Sequence, residues 1–439
     1  MHYMSKEVSF SFDNALIPSR EPSNSKKHLR SLAHKMANMT HDYNTPESVI
    51  DLCLDVTLHK TIHALVKKVR ASKPALLIVI GIGGSNLGMM AVEQLVHGKL
   101  HNENTNTIKV LYADTVDSDE LTEIKRVMQK TLEKKQTVII NAISKSGTTT
   151  ETIANFEVLL EIIKKQDAHF REHVIVTTDE NTPLHRLAQQ ERFHVLTIPQ
   201  SIGGRYSVFT AAGLFPLELA GISIDQLLAG ARAMRNRCLK KENNPAVTSA
   251  AIRYWHALHA KTIQDMFLFG NDFKSLGKWH RQLLAESLGK GCDKEGKLCI
   301  GITPTYSIGS TDMHSIAQLY LGGPFDKFTT FVRVQNNRND IKTPSHPAFN
   351  ALVPHIQSTS LQKIMGAIYK GVTETFAEKK RPFTEITLPD KSPYTIGQFI
   401  QFEIMEVVYL AELLNVNPFD QPDIESYKKK TRARLASAR

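Results

Sequence analysis

A chain of 439 residues has room for two or three domains with cores of their own, which excludes a peptide-sized or disulfide-stapled fold. Hydrophobic residues make up 41% and charged residues 22%, so collagen-like and disordered chains are excluded, and no apolar run approaches the roughly 20 residues of a membrane span. The formal charge is +10, but the last twelve residues alone carry six positive charges and no negative one, and no basic stripe with interleaved aromatics appears. Neither nucleic acid nor a membrane is therefore an expected partner, whereas a mild positive field suits a small anionic ligand. Cys53, Cys238, Cys292 and Cys299 show no zinc spacing and read as free thiols of a reducing compartment. The first residues have no basic segment leading into an apolar stretch, so a soluble, cytoplasmic protein is expected.

Residues 1–44, with Pro18, Pro22 and several serines, are expected to form an arm of short helices outside the core. Over 45–220 the pattern is βαβ. Apolar β-branched runs at 75–80, 108–113, 137–143, 173–178 and 194–198 are separated by amphipathic helices at 89–96, 121–132 and 152–163, as a doubly wound parallel sheet requires. A second α/β domain is expected over 221–395. It opens with helices at 225–234 and 251–258 and continues with strands at 266–269, 297–302, 328–334 and 385–388. Residues 396–439 read as a helical C-terminal arm, with apolar positions at helical spacing up to the N-V-N-P stop. The fold class is α/β, in three-layer αβα domains with mainly parallel sheets.

Six stretches carry the chemistry. G-I-G-G-S-N-L-G, Gly81 to Gly88, follows a strand and opens a helix, so backbone N–H groups near Gly84 and Ser85 could meet an anion. It lacks both the dinucleotide G-x-G-x-x-G spacing and a P-loop lysine, so neither a nicotinamide nor ATP is expected. S-K-S-G-T-T-T-E-T packs six hydroxyls and one lysine into nine residues at another strand-to-helix junction, more than an N-cap needs. Ser144, Lys145, Ser146, Thr149 and Thr152 in that stretch suit a phosphomonoester at a positive helix end. In S-I-G-G-R-Y-S the glycine pair ending at Gly204 lets the main chain approach a ligand while Arg205 supplies charge-assisted donors.

W-H-R-Q-L-L-A-E-S-L-G-K sets Gln282 and Glu286 four apart on one helical face. G-S-T-D-M-H-S-I-A-Q places His314 in the first turns of a helix, where an imidazole could shuttle protons. N-P-F-D-Q-P-D-I-E-S-Y-K contains Gln421 and leads to Lys428. His59 and His63 have helical i, i+4 spacing but no evident acidic third ligand, so no metal is assigned.

Taken together and in order, G-I-G-G-S, S-K-S-G-T-T-T-E-T, G-G-R-Y-S, Q-x-x-x-E-S-L-G-K, D-x-H-S and F-D-Q-x-x-x-E-x-x-K resemble the phosphoglucose isomerase (glucose-6-phosphate isomerase) family from about residue 45 onward. The resemblance implies two sugar-isomerase (SIS-type) domains, a homodimer with shared active sites, a hexose 6-phosphate substrate and no cofactor. Carried over by motif, Ser85, Ser144, Lys145, Ser146, Thr149 and Thr152 would bind phosphate, with Gly84 and Gly204 in the two glycine loops. Glu286 would be the base, Arg205 would steady an enediolate, His314 and Lys428 would open the sugar ring, and Gln282 and Gln421 would line the sugar. In that family the histidine comes from the partner subunit. One departure stands out: where the family signature reads Gly-Val, this chain has Asp423 and Ile424, and Asp would tolerate a positive φ there. A sugar-phosphate sensor without turnover and an isomerase for another phosphosugar are the competing readings.

Overall fold

The computed structural model describes residues 7–18, 22–39, 42–104 and 107–437. Among these residues ten strands form two sheets: β1 (Ser9–Ser11), β2 (Leu76–Ile80), β3 (Lys109–Ala113), β4 (Val138–Ile143), β5 (Val174–Thr178), β6 (His194–Thr197), β7 (Ile263–Phe269), β8 (Thr303–Gly309), β9 (Lys327–Val334) and β10 (Phe383–Leu388). The first sheet has the order β3-β2-β4-β5-β6 and is parallel throughout. Every residue of β2, β4 and β5 is buried, as strands covered by helices on both faces must be.

In the second sheet the order is β1-β10-β9-β7-β8, parallel except for β1. β3-β2-β4-β5 and β8-β7-β9-β10 are the same sequence of steps, first strand flanked by second and third, so the two halves repeat one topology. Such an order reverses direction beside its first strand, and in open α/β sheets the crevice beyond the carboxyl ends of the strands at that point, here β2 and β4, is the usual place for a ligand. The register sets Ile80 opposite Ala142, so the loops leaving these two strands emerge side by side.

One apolar cluster joins both sheets through the helix Pro393–Leu413, buried from Thr395 to Ala411. A second fills the other side of the first sheet. Beyond Leu413 the chain ends in the helix Glu425–Ser437, which has no buried residue. All four cysteines are free, and among the described residues no helix is long and apolar enough to cross a membrane.

Two expectations need correction. The N-terminal segment is not an arm outside the core: β1 pairs antiparallel with β10, setting Phe10 opposite Ile386, and the 16-residue helix Pro22–Ala37 buries Leu29, Ala33 and Met36. Only one narrow helical stripe faces inward, so the rest of its sequence stays polar. The strand expected at 297–302 is a loop, with Leu298 88% exposed, and the chain pairs instead over the more polar Thr303–Gly309. β8 is an edge strand buried only over its last three residues, which explains both its polarity and its tolerance of Pro304.

Candidate active site

The loop after β2 turns at Gly83, whose φ is +59°, and then runs against a second loop so closely that a Cβ on Gly84 would stand 2.1 Å from the carbonyl carbon of Gly204. Only glycine permits that approach. Ser207 Oγ fastens the contact by donating to the Gly84 carbonyl at 2.9 Å. The two glycine pairs therefore serve one junction, which brings Ser85 beside the neighbourhood of Arg205.

The loop after β4 holds the hydroxyl-rich stretch. Ser144 Oγ and Thr149 Oγ1 are 2.9 Å apart, and Thr148 N donates to Ser146 Oγ at 3.3 Å. Thr152, in the first turn of the helix Thr150–Gln166, has a buried Oγ1 without a partner. A cluster of hydroxyls at a helix N-terminus is an anion site in waiting. Lys145 Nζ donates to the Gln200 carbonyl at 2.7 Å. Burial pushes its pKa below the usual lysine value, Asp179 opposes that shift and the Arg205 charge adds to it. Arg432, from the C-terminal helix, reaches Thr148 Oγ1 at 3.3 Å.

Arg205 is the hub of the site and is 2% exposed. Its Nε donates to Ser287 Oγ at 2.8 Å, and its Nη1 to Glu286 Oε2 at 3.4 Å and Gln421 Oε1 at 3.3 Å. Nη2 donates to the carbonyls of Pro418 and Asp420. This planar fork fixes the guanidinium in orientation as well as in charge. On the helix Lys274–Leu288, which leads away from β7, Gln282 Nε2 donates to Glu286 Oε1 at 3.0 Å while Gln282 Oε1 is left without a partner. Glu286 retains 31% side-chain exposure, enough to meet a ligand. Two buried contacts hold that helix in place: Trp279 Nε1 donates to the Arg205 carbonyl at 3.3 Å, and His280 Nδ1 lies 2.7 Å from Glu403 Oε2.

Gly84, Gly204, Arg205, Gln282, Glu286 and Gln421 thus converge, with Lys145 joined to them through the segment from Gln200 to Arg205. Two expected residues are not drawn in within one chain. His314 closes a short 3-10 turn after β8 and is exposed, and no described hydrogen bond or ion pair joins it to Glu286 or Arg205. Lys428 Nζ pairs with Glu425 on its own helix at 2.8 Å. Asp423 lies exposed in the 3-10 turn Pro422–Ile424 and is not among the residues with positive φ, so the tolerance for such a φ is not called upon.

Sequence reasoning missed the residues that hold the hub. Ser287 Oγ meets Tyr206 OH at 2.8 Å as well as Arg205, and Tyr206 OH donates to the Pro418 carbonyl at 3.1 Å. Lys290 Nζ donates to the carbonyls of Glu286 (3.0 Å) and Asp420 (2.7 Å), tying the end of the helix Lys274–Leu288 to the Gln421 loop. The only available signal was their place inside motifs already singled out.

A sequence profile described as phosphoglucose isomerase matches residues 58–437. The glucose-6-phosphate isomerase of Carboxydothermus hydrogenoformans is 35% identical over 368 residues, covering 82% of this chain and 78% of that protein. A solved structure of a hypothetical protein from Thermus thermophilus superposes with a TM-score of 0.86 at 29% identity, covering 98% of this chain and 100% of that one. A glucose-6-phosphate isomerase from Chlamydia trachomatis shares the fold, with a TM-score of 0.82 at 18% identity and coverage of 99% and 89%.

Proposed function

The chain belongs to the phosphoglucose isomerase family, and from that premise we propose how its residues divide the work. It is an aldose–ketose isomerase that interconverts D-glucose 6-phosphate and D-fructose 6-phosphate. The reaction removes a proton from the carbon beside a carbonyl and returns it to the neighbouring carbon through a cis-enediolate. Glu286 is the base that carries that proton. Arg205 faces the developing oxyanion, a role whose removal typically costs ~10²–10³ in rate. The observation that carries this assignment is the Arg205 Nη1 contact with both Glu286 and Gln421, a fixed cation beside a partly exposed carboxylate.

Ser144, Lys145, Ser146, Thr149, Thr152 and the backbone around Gly84 and Ser85 hold the phosphate, and Gly204, Gln282 and Gln421 line the sugar. The phosphate does not react, so its binding energy serves to position the carbons for proton transfer. His314 and Lys428 open the hemiacetal, for which general acid–base help is worth roughly 10²–10⁴. The exposure of His314 on its own chain supports its donation to the site of a second copy in a homodimer. The setting is glycolysis and gluconeogenesis in the cytoplasm. A coupled assay on fructose 6-phosphate, run beside mannose and amino-sugar phosphates, tests the substrate. Turnover fastest with fructose 6-phosphate supports the reading; preference for another phosphosugar, or binding without turnover, overturns it.

A further inference from the structure

Away from the candidate active site, the helix Leu87–His97 runs from the glycine loop to Gly98, where a φ of +93° folds the chain back so that the turn His101–Glu103 lies over the helix end. His97 and His101 consequently stack with ring centroids 4.2 Å apart and planes at 19°. Glu93, one turn before His97, completes a group whose ligating atoms, one from each residue, all lie within 4.8 Å of one another. We propose that Glu93, His97 and His101 bind a divalent cation of the zinc class, which clips the end of this helix to the segment leading into β3.

Three features support the assignment besides proximity. His101 Nε2 faces the Ile108 carbonyl at 3.0 Å, so that nitrogen carries the proton and Nδ1 is left with its lone pair, the second-shell arrangement that orients a metal-binding imidazole. His97 Nδ1 is buried without a hydrogen-bond partner. Glu93 is 5% exposed, yet among the described residues its polar contacts are only the Tyr112 hydroxyl at 3.5 Å and His97 Nδ1 at 3.9 Å. Buried polar atoms normally find partners; His97 Nδ1 has none, and it lies 3.9 Å from a carboxylate that only a long contact to Tyr112 satisfies.

Two imidazoles and one carboxylate match zinc, cobalt or nickel rather than magnesium or calcium, which select oxygen. With ligand bonds of about 2.0–2.1 Å, neighbouring ligand atoms sit roughly 3.4 Å apart in a tetrahedral site, so closure asks for shifts of about 1 Å. The His97 side chain, 18% exposed, leaves the fourth position to water. Arg338 is the nearby cation; its guanidinium is directed to the carbonyls of Leu95 and Val96 and to Asp272, which Lys391 also meets. The cation strengthens the helix that opens from the glycine loop and takes no part in proton transfer.

The test uses the full chain without an affinity tag, stripped with a chelator, offered Zn²⁺ and then passed through gel filtration. About one equivalent of zinc per chain should remain, and Co²⁺ in its place should give intense visible absorption of a low-coordinate site. His97→Asn and Glu93→Gln should each weaken retention at least ~10-fold, with isomerase turnover unchanged, since neither residue touches the active site. Failure of the unaltered chain to hold zinc overturns the proposal, as does undiminished retention in both variants. Should the variants fold poorly, X-ray absorption at the zinc edge of the unaltered chain decides: a shell of two imidazoles with oxygen supports the site, and any other shell overturns it.

Discussion

Replacing Ser287 by Ala removes one oxygen and probes whether the hub of the active site works as a positioned guanidinium. Ser287 is fully buried, accepts from Arg205 Nε at 2.8 Å and lies 2.8 Å from Tyr206 OH. A hydrogen bond to a charged group contributes ~1.5–3 kcal/mol, and its loss leaves a buried N–H with no acceptor. The remaining contacts of Arg205 all run from Nη1 and Nη2, to Glu286, Gln421, Pro418 and Asp420. Without Ser287 the fork is held from one end and can pivot about it. If about 1.4 kcal/mol of the loss falls on the transition state, kcat drops roughly tenfold. KM should change little, because the phosphate loop is untouched. Steady-state kinetics alongside thermal unfolding separates the outcomes: a lower Tm with kcat within about twofold of the unaltered enzyme would mean that Ser287 only packs, and the positioning argument fails.

Lys145→Ala should raise KM roughly 10- to 100-fold with kcat nearly intact, as expected for loss of a charge-assisted contact to a phosphate that binds equally in both states. Because burial holds the Lys145 pKa below the usual lysine value, kcat/KM of the unaltered enzyme should fall as alkaline pH rises through that lowered pKa and Lys145 loses its charge. That limb should vanish from the pH profile of Lys145→Ala; its persistence would assign the titration to another group. Gly84→Ala should drop kcat/KM by about 10² or more, since the new Cβ must displace the Gly204 backbone and misplace Arg205. Wild-type kinetics in that variant would mean that the two loops part freely. Mixing inactive Glu286→Gln and His314→Ala chains should restore turnover that neither shows alone, and no recovery in mixed dimers would place both residues in one subunit's site.

Most strands could be read directly because a parallel strand covered on both faces is apolar nearly throughout, as L-L-I-V-I is and as V-I-I-N-A-I is apart from Asn141, which donates to Thr177 Oγ1 on β5. β8 escaped because an edge strand needs no such run, while the more apolar K-L-C-I-G-I before it is a largely exposed loop that buries only Ile302. β1 escaped because three residues carry too little pattern, its partner β10 lying more than 370 residues away. The hydroxyl-rich loop after β4, proposed above to hold the phosphate, stood out by its local density of hydroxyls. What could not be read was the convergence: Arg205 meets Ser287, Glu286 and Gln421 across 82, 81 and 216 residues. Such contacts follow from tertiary packing and leave no periodic mark. Ser287 and Lys290 stood within a motif already noticed, but nothing short of their partners could assign them a role.

Glu286 is proposed to lift a proton from one sugar carbon and set it on the next. Incubating fructose 6-phosphate in D₂O with excess enzyme, then analysing the hexose phosphates by mass spectrometry, tests it most directly. Exchange of the proton held on Glu286 with solvent should place deuterium at position two of the glucose 6-phosphate formed, and Glu286→Gln should bind the sugar phosphate yet form none. Isomerisation without any deuterium at that carbon, or substantial turnover by Glu286→Gln, would contradict the account.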